Sequence, residues 1–123
     1  MRKIIFLIIS LLIISCENMN DNQPVKIVFL GDSITQQAED FEDGFISLIR
    51  QNLVQDKFEL VGKGIGGNKV SDLLTRYKSD VIDLNPDIVF IYIGINDVWH
   101  KYDFGTGSDI DLYEKGLRTI ISD

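Results

Sequence analysis

Val-Lys-Ile-Val-Phe-Leu-Gly-Asp-Ser-Ile-Thr, residues 25–35, is the stretch of sequence that decides the fold. Its apolar run, residues 27–30, is rich in β-branched and aromatic side chains, is too short for a helix and is closed by Gly31, which is typical of a buried strand. Ser33 therefore follows the carboxyl end of a strand, where open α/β sheets carry their reactive groups. Thr35 stands where the G-x-S-x-G nucleophile turn has its last glycine, so the sequence excludes that turn.

The rest of the chain predicts alternating helices and strands. The polar, acidic residues 36–43 predict a loop over the mouth of a site, and helical spacing of apolar residues begins at Gly44. Residues 57–61 and the continuous apolar run 87–94 predict the second and third strands, and the third is expected to be buried on both faces, as in a parallel sheet. Asn85-Pro86 ends the helix between them, because a residue before proline avoids helical geometry. The predicted apolar helix faces are Phe45, Leu48, Ile49 and Leu53; Val70, Leu73, Leu74, Tyr77 and Val81; and, after a loop over 103–108, Tyr113, Leu117, Ile120 and Ile121.

Length, composition and charge limit the possible functions. A chain of 123 residues forms at most one domain, and 45% hydrophobic with 25% charged residues is the composition of a soluble globular protein. Strand–helix alternation with short connections predicts right-handed crossovers and a three-layer α/β sandwich. The net charge of −7 argues against a nucleic-acid-binding protein, which needs clustered Lys and Arg.

The N-terminus has the pattern of an export signal. Arg2 and Lys3 precede the apolar residues 4–14, a run too short to span a bilayer but suited to a secretory signal. The only cysteine, Cys16, follows this run in a context that resembles a bacterial lipoprotein signal, in which the cysteine is lipidated. The alternatives are a conventional signal with an incidental cysteine or an uncleaved anchor. We expect a signal peptide over 1–15, a lipidated cysteine with a polar tether over 16–24, and an exported domain over 25–123 on the periplasmic face or outer membrane of a bacterium.

Three short motifs at the predicted strand ends resemble blocks I, II and III of the SGNH, or GDSL, hydrolase superfamily of esterases and lipases. They are Gly-Asp-Ser-Ile-Thr at 31–35, Gly-Ile-Gly-Gly-Asn at 64–68 and Gly-x-Asn-Asp at 94–97. The resemblance covers about residues 25–121 and implies a flavodoxin-like fold with a parallel sheet in the strand order 2-1-3-4-5. Only about the first three of those strands are present in this chain.

The resemblance also implies the roles of the site residues. Ser33 would be the catalytic nucleophile, and its N–H, the N–H of Gly67 and the side-chain amide of Asn96 would form the oxyanion hole. Asp32 and Asp97 are expected to fix the loops, and together with Trp99 and His100 they are expected to line the substrate cleft. The substrate would be an acyl or acetyl ester of a small molecule, carbohydrate or lipid, with the membrane reached only through the lipid on Cys16. Serine chemistry of this kind needs no metal and no cofactor.

The base of the family's catalytic triad comes from an Asp-x-x-His motif near the C-terminus of the family's domain. The Asp-x-x-His of this sequence, residues 97–100, directly follows block III and does not have that position. The sole histidine, His100, follows block III and is the less favoured candidate for the base. We therefore expect a C-terminally incomplete sequence of an ester hydrolase, which is inactive or very weakly active as this chain. The alternative is a catalytically inactive ligand-binding lipoprotein of the same fold.

A rival interpretation concerns the glycine-rich turn. Gly62-x-Gly64-x-x-Gly67 formally fits the dinucleotide-binding fingerprint, but that fingerprint belongs to the first strand–helix turn and this one follows the second strand. Asp87 has the separation of the acidic ribose ligand, yet it is predicted to begin its strand, at the far edge of the sheet. A nucleotide-binding domain is therefore disfavoured.

Overall fold

The sheet consists of three parallel strands in the order β2-β1-β3, in a computed structural model that describes residues 23–123. The strands are β1 (Val25–Gly31), β2 (Phe58–Gly64) and β3 (Ile88–Tyr92). Gly31 pairs with Gly64 on one side and with Tyr92 on the other, so the three strands end at the same edge of the sheet. This arrangement confirms the predicted α/β class and the start of the expected strand order.

Helices cover both faces of the sheet and complete three layers. They are α1 (Ser33–Asp40), α2 (Phe45–Asn52), α3 (Val70–Asp80), α4 (Ile95–Asp103) and α5 (Ile110–Ser122), with 3₁₀ turns at Gln55–Lys57 and Ile82–Leu84. Alternate residues of β1 serve the two faces, because successive side chains of a strand point in opposite directions. One core contains Ile27, Phe29, Ala38 and Ile46, and the other contains Val28, Leu30, Val70, Leu73, Tyr77, Val81 and Ile120.

The loop predicted over residues 36–43 is wrong, because α1 continues to Asp40. The Asp32 carboxylate starts this helix by accepting the N–H of Ile34 at 3.0 Å, which is a standard N-cap contact. Thr35 and Ala38 are its only buried residues, so most of the helix surface faces solvent. A polar helix of this kind carries too few apolar residues to show helical periodicity in the sequence.

The predicted apolar face of α2 is also wrong. Ile46 is fully buried, whereas Phe45, Leu48 and Ile49 are exposed. Arg50, one turn after Ile46, donates from Nη2 to the Glu39 carboxylate at 2.8 Å and to the carbonyl of Leu60 in β2 at 3.2 Å. Because Arg50 contacts the sheet, the face of α2 that packs against the sheet carries Ile46 and Arg50.

Strand β3 does not have the two-sided burial that its apolar run predicts. Ile88, Phe90 and Tyr92 share one face and are 43%, 53% and 58% exposed. Within residues 23–123, β3 is an edge strand. The helices on this face, α1 and α2, pack over β1 and β2 and leave β3 exposed. The opposite face is better covered, since Ile91 packs against the core beneath α3 and α5.

Two other expectations about helices need correction. Helix α4, in which only Asn96 and Asp97 are buried, was not expected from the sequence pattern. In the predicted apolar faces of α3 and α5, Leu74 and Ile121 are exposed, while Leu73, Tyr77 and Ile120 are buried as expected.

Between residues 23 and 123 no helix has both the length and the apolar character needed to cross a membrane. The predicted signal and Cys16 lie outside the described residues.

Candidate active site

Ser33 is the first residue of α1, directly beyond the end of the central strand. The preceding Asp32 is fully buried and anchors the turn through its bond to Ile34. The N–H of Ser33 has no acceptor within the helix, because the first N–H groups of any α-helix lack intrahelical partners. The helix N-terminus also favours negative charge, so it can stabilise an oxyanion that forms when the Ser33 side chain attacks an ester. The Ser33 side chain is partly exposed, as attack on a substrate requires.

The glycine-rich loop after β2 packs directly on the first turn of α1. A β-carbon on Gly64 would lie 2.0 Å from the backbone nitrogen of Gln36, so only glycine permits this close approach. The N–H of Gly66 donates to Gln36 Oε1 at 2.8 Å. A β-carbon built on Gly66 would lie 3.9 Å from Cβ of Ser33. The loop is therefore fixed beside the serine.

Gly67 has φ +77°, in the left-handed region that favours glycine. The space beside its Cα is open, since a β-carbon there would have only Cε1 of His100 within reach, at 4.0 Å. A backbone N–H in this position can be approached closely by a substrate oxygen. Gly67 thus has the conformation and the surroundings of an oxyanion-hole glycine.

Asn96 lies in the first turn of α4 and is 4% exposed. Its Nδ2 donates to the carbonyl oxygen of Asn68 at 3.0 Å, which ties α4 to the residue that follows Gly67. An amide nitrogen has two hydrogens, so this bond leaves a second donor on Asn96. The structure therefore brings the predicted oxyanion donors of Ser33, Gly67 and Asn96 to one edge of the sheet.

The two aspartates next to these residues are buried and cap helices. Both carboxylate oxygens of Asp97 accept the N–H of Val70, the first residue of α3, at 3.1 and 3.3 Å. A carboxylate at a helix N-terminus is stabilised by the helix dipole. Asp32 caps α1 in the same way, and its Oδ2 has no donor among residues 23–123. Both carboxylates are buried, and both fix elements of the site.

Trp99 and His100 lie on α4 near the oxyanion residues. The His100 ring is half-buried, stands beside Gly67 and meets Phe104 edge-on at a centroid distance of 5.3 Å. The Trp99 ring is 56% exposed and lies 6.5 Å from the imidazole. Both side chains are thus available at the rim of the site.

Tyr113 supports the turn that carries Asn96. Its hydroxyl donates to the carbonyl of Ile93 at 3.1 Å, and Gly94, with φ +130°, leaves room for the ring. Burial raises the pKa of Tyr113, and the nearby Asp97 carboxylate raises it further. The phenol therefore remains a protonated donor through neutral pH.

Sequence reasoning missed two residues that hold the site together. Gln36 was placed in a loop, and no sequence pattern distinguishes its contact with Gly66. Arg76 in α3 donates to groups in β1, β2 and the glycine-rich loop. The sequence feature that could have identified Arg76 is its place beside an apolar helix face, four residues before Asp80. The two side chains form an ion pair.

The described residues do not favour two other kinds of site, a metal centre and a dinucleotide site. Over 23–123 there is no group of three or more His, Cys, Asp or Glu side chains placed to hold a metal ion. Asp87 accepts the N–H of Lys26 at 2.7 Å, at the opposite end of the strands from Ser33. That location confirms that it is not at the ribose position of a dinucleotide site.

Comparisons with known proteins agree with this arrangement. The family model described as the GDSL-like lipase/acylhydrolase family matches residues 29–123. An acetylxylan esterase from Geobacillus stearothermophilus is 35% identical, and the match covers 78% of this chain and 52% of that protein.

Solved structures show the same likeness. The acetyl xylan esterase AlAXEase superposes with a TM-score of 0.76 and 46% identity, over 80% of this chain and 51% of its own. The structure of Axe2, an acetylxylan esterase from Geobacillus stearothermophilus, gives a TM-score of 0.69 and 32% identity, over 85% of this chain and 56% of its own. The chain therefore spans about half the length of the relatives that it matches.

Proposed function

Since this chain belongs to the GDSL-like lipase/acylhydrolase family, we propose that the whole protein is a serine esterase that removes acetyl groups from carbohydrate. One observation carries the proposal: Ser33, Gly67 and Asn96 follow three neighbouring strand ends and meet at one edge of a parallel sheet. Such an edge is where α/β folds bind and transform ligands. Related proteins described as acetylxylan esterases support the choice of an acetylated sugar as substrate.

The proposed chemistry is acyl transfer in two steps. Ser33 Oγ attacks the acetyl carbonyl while a histidine takes the hydroxyl proton, and the oxyanion accepts hydrogen bonds from Ser33, Gly67 and Asn96. Collapse of this intermediate breaks the bond to the sugar oxygen, which takes the proton from that histidine and leaves as a hydroxyl. Water then attacks the acetyl-serine with the same base and releases acetate. Each oxyanion donor lowers the barrier by about 3 kcal/mol.

The base in this scheme is a histidine of an Asp-x-x-His motif near the C-terminus of the family's domain. The Asp97-x-x-His100 of this chain directly follows the third strand instead, and its Asp97 carboxylate accepts the N–H of Val70. We assign His100 to substrate contact, because its ring borders the open space beside Gly67. The exposed Trp99 provides an aromatic surface next to it, suited to the apolar face of a sugar ring. Coding DNA that continues past codon 123 without Asp-x-x-His would favour the alternative, an inactive ligand-binding protein of the same fold.

The nucleophile is tested by Ser33→Ala in the whole protein. Acetate release from acetylated xylooligosaccharides, followed together with p-nitrophenyl acetate hydrolysis, should fall by at least about 10⁴-fold in kcat. Ser71→Ala, on the exposed side of α3, is the matched control and should retain wild-type rates. Unchanged rates in Ser33→Ala would eliminate the proposed nucleophile.

We also propose that the protein is exported and anchored by lipid on Cys16. The support is the sequence pattern of a charged start, an apolar run and a small residue before the cysteine. Cells supplied with radiolabelled palmitate should label the wild-type protein and not Cys16→Ala. Equal labelling of both proteins, or labelling of neither, would contradict lipidation at this residue.

A further inference from the structure

We propose that Arg76 is a positioning residue that sets the distance between the nucleophile turn and the oxyanion donors, an inference that rests on the function proposed above. It lies in the second turn of α3, and its side chain is 13% exposed. The guanidinium reaches the carboxyl ends of β1 and β2 and binds groups from three separate segments of the site.

The contacts of Arg76 use four of its five N–H groups. Nη2 donates to the carbonyl of Gly31 at 2.8 Å, and Nη1 donates to the carbonyl of Lys63 at 3.1 Å. Nε donates to Oδ1 of Asn68 at 2.9 Å. The other Nη1 hydrogen is directed to Asp80, the ion-pair partner one turn later in α3. A planar guanidinium with fixed donor directions can satisfy these four acceptors at once.

Two of these acceptors lead directly to the reacting groups. Gly31 is two residues before Ser33, and its carbonyl also accepts the N–H of Ile65 at 3.2 Å, so both of its lone pairs are used. Asn68 follows Gly67, and its own carbonyl accepts Nδ2 of Asn96. Arg76 is thus the group that joins the end of β1, the glycine-rich loop and the amide of Asn96.

Its action is geometric. Asp80 pairs with the guanidinium, and four bonds fix the plane of the group below the site. Since the oxyanion donors act only on the transition state, a small displacement among them lowers kcat and leaves ground-state binding nearly intact. Lysine has a point charge on a flexible stem and cannot reproduce the planar set of four bonds.

The test compares Arg76→Lys with Arg50→Lys in the whole protein. Arg50 is also partly buried, pairs with a carboxylate and donates to a strand carbonyl, but it lies on α2, away from the site. With p-nitrophenyl acetate, Arg76→Lys should lower kcat by about 10²-fold, the effect of misplacing a reacting group by roughly 1 Å. Its KM should stay within about twofold, and Arg50→Lys should keep the wild-type kcat.

A second variant covers the case in which Arg76→Lys does not fold. Asn68→Ala removes only the acceptor of Nε and keeps the backbone carbonyl that binds Asn96. It should lower kcat by about tenfold with KM unchanged, and in the double variant the two losses should not multiply, because both act through one network. A wild-type kcat in Arg76→Lys or, if that variant is unfolded, in Asn68→Ala would overturn the proposal, as would an equal kcat loss in Arg50→Lys.

Failure of the proposed function would be visible separately. If the wild-type whole protein hydrolyses no ester, that function is wrong, and Arg76 is then tested by NMR on the ¹⁵N-labelled 123-residue chain. Arg76→Lys should shift the side-chain amide signals of Asn96 and the N–H signal of Gly67, whereas Arg50→Lys should leave them in place. Unmoved signals in a folded Arg76→Lys chain would refute the positioning role.

Discussion

At Gly67, in the candidate oxyanion site, a β-carbon would strain the backbone but would not clash with neighbouring atoms. The φ of +77° at Gly67 disfavours every other residue, yet the space beside it is open up to His100. We expect Gly67→Ala to lower the free energy of unfolding by about 1 kcal/mol through backbone strain alone. We also expect kcat of the whole protein to fall by about 10²-fold, because relief of that strain turns the N–H away from the oxyanion. Denaturant unfolding and p-nitrophenyl acetate kinetics measure the two effects.

Gly105 provides a matched control for this substitution. It has φ +66°, and a β-carbon there would have no atom within 4 Å, but it lies in the connection between α4 and α5. Gly105→Ala should therefore cost about the same stability and leave kcat unchanged. A kcat loss in Gly105→Ala as large as that in Gly67→Ala would show that strain acts through the whole fold and not through the N–H of Gly67.

The site residues that could be predicted from the sequence are those that lie in short continuous motifs. Ser33, Gly67 and Asn96 each follow a strand, and parallel strands end at a common edge, so their proximity was predictable. Arg76 was not, because its bond to Gly31 joins positions 45 residues apart and depends on where α3 packs. Gln36 was missed for the same reason: its bond to Gly66 joins positions 30 residues apart.

At the level of elements, one ion pair crosses the connection between α4 and α5. Lys101, in the last turn of α4, donates to the carboxylate of Asp109, the N-cap residue of α5. This bond and the attraction between the charges lower the pKa of Asp109 and raise that of Lys101. Because the folded pKa of Asp109 is lowered, its contribution to stability is present above about pH 3.9, the unfolded value, and is lost as the pH falls through the folded value.

Lys101→Met should return the pKa of Asp109 towards its ordinary value. ¹³C NMR titration of the Asp109 carboxyl measures this shift, and Lys115→Met on the exposed side of α5 is the control, which should leave the titration unchanged. The free energy of unfolding should change little, because both groups are largely exposed to solvent. An unaltered pKa of Asp109 in Lys101→Met would show that the ion pair is not formed in solution.

The helices differ in how well the sequence predicts them, for a physical reason. In α3 the buried Leu73 and Tyr77 recur at helical spacing, because the helix packs along the sheet and buries one continuous stripe. In α4 the only buried residues are Asn96 and Asp97, which bind the backbone of the glycine-rich loop and of α3. A helix fixed by polar contacts at its first turn shows no apolar stripe, and α4 was therefore missed.

For the whole molecule, the described residues form a sheet that is covered unevenly. The central strand is buried on both sides, with Val28 and Leu30 fully inaccessible, while β3 exposes Phe90 and Tyr92. The continuous apolar run of β3 correctly predicted a parallel strand. It did not predict the exposure, because an apolar run reports what a strand can bury and not which neighbours lie beside it.

The catalytic groups of the proposed esterase are also only partly present in residues 1–123. Residues 1–123 contain the nucleophile and the oxyanion donors of the proposed esterase and a single histidine, His100, beside Gly67. Loss of the base from a serine triad removes about 10⁶ in kcat and leaves about 10³ to 10⁴ over the uncatalysed rate. The purified 123-residue chain should therefore turn over p-nitrophenyl acetate at a very low rate that Ser33→Ala and His100→Ala leave unchanged. Rapid turnover that both substitutions abolish would instead identify His100 as the base, and the oxyanion site would then have its proton acceptor on α4.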